Sequence, residues 1–180
     1  MRPATATLAL TLLIAAAASG CAHTPDPDHA AVPGCATGGF AAPFDHVDGC
    51  SPDAVLAAAT ATIFGYRPVD DPDQRAAFRR ATPLLDPDYA RLGEPAATVL
   101  APVTAEVWQQ WAAAGVTVAT AVEVTDEDHP PDTGTHAARV LTVTLEPGDL
   151  GAPIRLVVRA RAVRATPGAG WRLSALEVSA

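Results

Sequence analysis

Ser51-Pro52, Asp71-Pro72 and Asp86-Pro87 each set a side-chain oxygen directly before a proline. That pair is a helix start. The oxygen accepts an otherwise unpaired N–H of the first turn, and proline at the first helical position removes an N–H that would have no partner. The stretch from 51 to 93 is therefore short helices. Behind Ser51, Val55, Ala59 and Ile63 recur every four residues, flanked by Leu56 and Tyr66, and make one apolar face that Gly65 and Pro68 end. Asp71 reads as the next cap, with Gln74 closing a capping-box-like pattern, Phe78 and Ala81 on the inner face and Pro83 as the stop. A third helix runs from Asp86 to Gly93.

Past Pro102 the period changes. "TAEVWQQWAAAG" reads as a helix capped by Thr104 and ended by Gly115. In "VTVATAVEV", Val116, Val118, Val122 and Val124 then face one way and Thr117 and Glu123 the other, which is strand alternation. "RVLTVTL" sets Leu141, Val143 and Leu145 against Thr142 and Thr144. "IRLVVRARAV" sets Ile154, Leu156 and Val158 against Arg155, Arg159 and Arg161, and "GWRLSALEV" closes the chain. The connectors "DEDHPPDTGT", "EPGDLGAP" and "TPGAG" are rich in turn residues, so hairpins are the economical links. The expected fold is α+β, with N-terminal helices packed on a curved antiparallel sheet of about four strands, in one domain over 51–180.

The upstream third has other business. After Met1-Arg2 an apolar run extends from Ala4 to Ala18, shorter than the roughly 20 residues a membrane-spanning helix needs. It suits an export leader over 1–20. Ala18-Ser19-Gly20-Cys21 resembles the bacterial lipobox, with Ala18 standing where leucine is usual; the resemblance implies cleavage before Cys21 and acylation of its thiol. Two or more acyl chains hold a protein on a membrane. Residues 21–50, with prolines, glycines and no regular period, read as a lipidated tether. Cys35 and Cys50 then share an exported, oxidising setting in which a disulfide is expected; free or metal-bound thiols, with His46 nearby, are the alternative.

Losing Arg2 with the leader leaves 11 arginines against 20 acidic residues, a formal charge of −9. Such a surface excludes nucleic acid and anionic lipid headgroups as natural partners. The chain has no lysine and no asparagine, a bias that follows GC-rich codons of an actinobacterial type.

Helix, second helix ending in "RRATPLL", Trp-bearing segment and terminal meander together resemble the nuclear transport factor 2-like fold. The layout is also similar to extracytoplasmic assembly domains of type IV secretion and conjugation machinery, and to small membrane-attached accessory proteins of actinobacteria. The resemblance implies a cone between helices and sheet. In enzymes of that fold, such as ketosteroid isomerases and polyketide cyclases, the cone holds an acidic base and a tyrosine or acidic hydrogen-bond donor.

Candidates for such chemistry are Tyr66, Asp86, Asp88 and Tyr89. Each has a plainer reading: Asp86 as a cap, Asp88 as a first-turn charge facing the helix dipole, Tyr66 as core. Tyr66, Tyr89, Trp108 and Trp111 either line a cavity or close the core. Asp126, Glu127, Asp128, His129, Asp132 and His136 carry ligand atoms, but their spacing matches no calcium loop and a solvated hairpin loop is the reading adopted. His23 and His29 sit among prolines that do not preorganise a metal site. No nucleophile motif, HExxH zinc motif, phosphate loop or CxxC occurs, and no metal or cofactor is expected. Arg155, Arg159 and Arg161 on one strand face are either cross-strand partners of Glu123 and neighbouring threonines or a docking patch. The functional expectation is a lipid-anchored, non-catalytic interaction or assembly module of an envelope complex. The alternative is a small apolar ligand carrier, or a cyclase- or isomerase-like enzyme using the cone.

Overall fold

The computed structural model describes residue 35 and residues 39–179. Two compact units divide the chain, and the one described is Val32–Ala180. The leader, Cys21, His23 and His29 lie outside the described residues.

Helix α1 (Pro52–Phe64) starts where expected: Ser51 Oγ accepts the Ala54 N–H at 3.2 Å and Pro52 opens the helix. Helix α3 (Pro87–Gly93) is capped by Asp86, and α4 (Ala105–Ala113) by Thr104. Gly115, which ends α4, has φ +74, a left-handed conformation that glycine adopts without a Cβ penalty. Helix α2 (Gln74–Arg80) departs from expectation, because its cap is Asp73, which accepts the Arg75 N–H at 2.9 Å. Asp71 is instead drawn into a nearly buried ion pair with Arg80 at 2.6 Å. Gln74 closes no capping box; its amide donates to the Val103 carbonyl at 3.0 Å.

Strands β1 (Ala119–Val124), β2 (His136–Glu146), β3 (Ile154–Val163) and β4 (Arg172–Ser179) form one antiparallel meander in chain order. The sheet is curved and open, with a register shift between Arg161 and Ala162. Helices first and a four-stranded antiparallel sheet after is the α+β architecture expected. Alternation does the sorting: Leu141, Val143 and Leu145 of β2 and Leu156 and Val158 of β3 are buried against Val55, Leu56, Ala59 and Ile63 of α1. Each buried valine, leucine or isoleucine among them contributes about 1.5–3 kcal/mol on leaving water.

The folded body begins upstream of Ser51. Phe44 and Val47 are core residues, and Phe40 lies under the Arg172 guanidinium, 4.4 Å from its ring centroid. Trp171 N–H donates to the Gly49 carbonyl at 2.9 Å, and Cys35 is bridged to Cys50. Residues 39–50 are thus packed chain and not tether, which corrects the expected boundary at that end. The disulfide is as expected.

Candidate functional site

Strand β3 carries the arginines. With Leu156, Val158 and Ala160 turned into the core, period two sends Arg155, Val157, Arg159 and Arg161 to the opposite, solvent-facing side of the sheet. Register places Thr144 beside Arg155, and Val140 and Glu177 on either side of Arg159. Arg161 reaches Glu177 at 3.1 Å, both side chains well exposed, a pair worth about 0–1 kcal/mol. Among the described residues Arg155 and Arg159 make no ion pair. The expected cross-strand partnership is therefore divided: Arg161 has an acidic neighbour, from β4, while Glu123 faces Thr142 two strands away. Val157, between the two unpaired guanidiniums, is an exposed apolar side chain.

One end of this face is roofed. Val140, on the outer phase of β2, is only 5 % exposed. The β1–β2 loop supplies the cover: Asp128, His129 and Pro130 border the same hollow of about 300 Å³ as Val140, Arg159 and Arg161. Arg139 holds that loop. Its guanidinium grips Asp132 with two bonds of 2.7 and 2.8 Å and reaches Asp53 in the first turn of α1 at 2.6 Å. The bidentate bond from Arg139 depresses the Asp132 pKa, and the same bond raises that of Arg139. Asp132 is thus committed to an ion pair, and among the described residues no group of three or more His, Cys, Asp or Glu side chains is placed to hold a metal. Sequence reasoning missed Arg139. Its signal was a charge on the inward phase of β2, in step with Leu141 and Val143.

The four aromatic candidates do not share one cavity. Tyr66 is 1 % exposed and packs edge-to-face on Phe64 and Trp108, with ring centroids at 6.2 and 5.4 Å. Burial pushes its phenol pKa well up, and the hydroxyl has no protein partner among the described residues. Trp108 donates its indole N–H to the Asp71 carbonyl at 3.3 Å, and Trp111 is buried in the core. Tyr89 stands apart, edge-to-face on Phe78 at 5.6 Å. Burial pushes its pKa up to about 12, opposed by a backbone hydrogen bond from Leu176. Asp86 is occupied as a cap, accepting from the N–H groups of Asp88 and Tyr89, and Asp88 pairs with Arg91.

A pocket of about 520 Å³ opens at the C-terminal end of α1, bordered by Phe44, Ala61, Val118, Thr117, Arg67 and Arg80. One wall is set by the Asp71–Arg80 pair, whose second guanidinium nitrogen donates to the Gly65 carbonyl at 2.7 Å. Arg67 is exposed and, among the described residues, has no ion pair.

Comparison with known proteins adds little. No family model matches the chain, and no curated protein does. Among solved structures, the chain is similar to CagV, a VirB8 homolog of the type IV secretion system of Helicobacter pylori. The identity is 12 %, the match covers 70 % of this chain and 97 % of that one, and the TM-score is 0.41. At those values the likeness carries no inference about function.

Proposed function

We propose that this chain is a lipid-anchored, extracytoplasmic binding module that takes part in assembling an envelope complex, in the manner of secretion or conjugation accessory domains. Cys21 is the acylated residue, and the stalk upstream of the packed segment connects it to the domain. The observation that carries the reading is the outer face of β3. There Arg155 and Arg159, which make no ion pair among the described residues, flank exposed Val157 on a chain of strongly negative charge. Arginine presents a planar, two-pronged donor and is enriched in interfaces, and an apolar residue between two of them supplies area that excludes water. The partner is a protein with an acidic, partly apolar surface.

The test is charge reversal. Arg155→Glu with Arg159→Glu removes crosslinks to envelope proteins while shifting stability by no more than a few tenths of a kcal/mol per site, as exposed positions do. Unchanged crosslinks in a folded double variant refute the face.

A further inference from the structure

β1 and β4 are the two edges of the sheet, and they are treated differently. At the start of β4, Leu85 bridges to Leu173, and the Asp86 N–H donates to the Leu173 carbonyl at 2.8 Å. β1, "ATAVEV", has no proline and no register shift, and Glu123 is its one charge, so few of the devices that blunt an edge are present.

The phase of its backbone groups is fixed. The Thr125 N–H donates to the Val140 carbonyl at 2.9 Å, so odd-numbered residues turn their polar groups to β2. Thr120, Val122 and Val124 then turn theirs to the other side, where no strand pairs with β1 among the described residues. Val118 has the same phase, and its N–H is taken by the Tyr66 carbonyl at 3.1 Å. The open edge therefore stops at Val118, and it stops at the pocket of about 520 Å³. Phe44, Ala61 and Val118 give that pocket an apolar floor, and Arg67 gives it a cation not paired among the described residues.

We propose that the β1 edge and this pocket receive the C-terminal tail of a partner protein as an added antiparallel strand. β1 runs away from the pocket, so an antiparallel tail runs toward it and delivers its terminal carboxylate to Arg67. A parallel strand would bring its N-terminal end, and no carboxylate, to the same guanidinium. Main-chain pairing at Val122 and Val124 supplies sequence-tolerant affinity, and the last side chain lies on the apolar floor. The site is independent of the β3 arginines.

The test is fluorescence anisotropy of the full chain with a degenerate pool of hexapeptides alternating threonine with Val, Ile, Leu or Phe. The pool is made with free and with amidated C termini. The free-acid pool binds saturably and the amidated pool at least tenfold more weakly. Arg67→Gln brings the free-acid pool down to the amidated level and leaves the amidated pool unchanged. Val122→Pro removes binding of both, and because the Val122 N–H faces outward it costs no ladder bond to β2. Arg155→Glu with Arg159→Glu leaves peptide binding intact, which separates this proposal from the docking face. No binding of the free-acid pool, equal binding of the two pools, or full binding by a folded Val122→Pro variant each overturns it.

Discussion

Removing the Asp71 carboxylate tests how the α1–α2 turn is held. Asp71 Oδ1 accepts from Arg80 Nη1 at 2.6 Å, and Oδ2 accepts the Arg67 N–H at 3.3 Å. The carboxylate is 8 % exposed and the Arg80 side chain 30 %. Breaking a fully buried pair by removing one member costs about 3–5 kcal/mol, since the other charge is stranded. Arg80 keeps the Gly65 carbonyl and some contact with water, so the cost of Asp71→Ala falls at or just below the lower end, about 2–3 kcal/mol. Asp71→Asn keeps an acceptor and loses the charge, at about 1 kcal/mol. For a domain near 150 residues, 2–3 kcal/mol is a fall in Tm of about 5–10 °C. Urea unfolding at constant slope measures it, and a cycle with Arg80→Met isolates a coupling of at least about 1 kcal/mol. Asp71→Ala within about 0.5 kcal/mol of wild type, or a coupling near zero, refutes this account of the turn.

Replacing both Cys35 and Cys50 by serine costs about 3 kcal/mol in the chain-entropy model, read by urea unfolding; an unchanged midpoint contradicts it. Gly93→Ala brings a Cβ within 2.9 Å of the Phe78 ring and 3.1 Å of the Tyr89 ring, an overpacking of about 1–3 kcal/mol that thermal unfolding detects. Arg139 holds the folded pKa of Asp132 below its unfolded value, so that pair stabilises above the unfolded carboxylate pKa and its contribution is lost as pH falls through the lower, folded one. Asp132→Asn therefore lies below wild type at neutral pH and converges on it in acid; a constant gap down to acid pH contradicts the pairing. Cys21→Ala releases the chain from the membrane fraction or leaves the leader uncleaved, as fractionation and mass spectrometry show.

Local chemistry made the starts of α1, α3 and α4 readable, because a cap and its first-turn contacts lie within a few residues. The same grammar misplaced the cap of α2. Asp71 and Asp73 are equally good caps by sequence, and the choice falls to Arg80, nine residues on, which takes Asp71 as its partner. Residues 39–50 looked like stalk since Phe44 and Val47 follow no period, and what holds them includes Trp171 and Arg172 at the far end of the chain. The β3 arginine row was legible from alternation alone. Which arginine finds Glu177 was not, because register sets Glu177 directly opposite Arg159 while its carboxylate meets Arg161 on the diagonal. The aromatic candidates carried no directional signal, and packing placed Tyr66 with Trp108 but Tyr89 with Phe78.

Site-specific photocrosslinking compares two exposed valines most directly: Val157 between Arg155 and Arg159 of β3, and Val99 in the turn after α3. A photoreactive residue at each position, in cells, reports which surface a partner covers. The binding-module account predicts a discrete envelope-protein adduct from position 157, lost with Arg155→Glu and Arg159→Glu, and none from position 99. Adducts from position 99 with none from 157, or a 157 adduct indifferent to charge reversal, would contradict it.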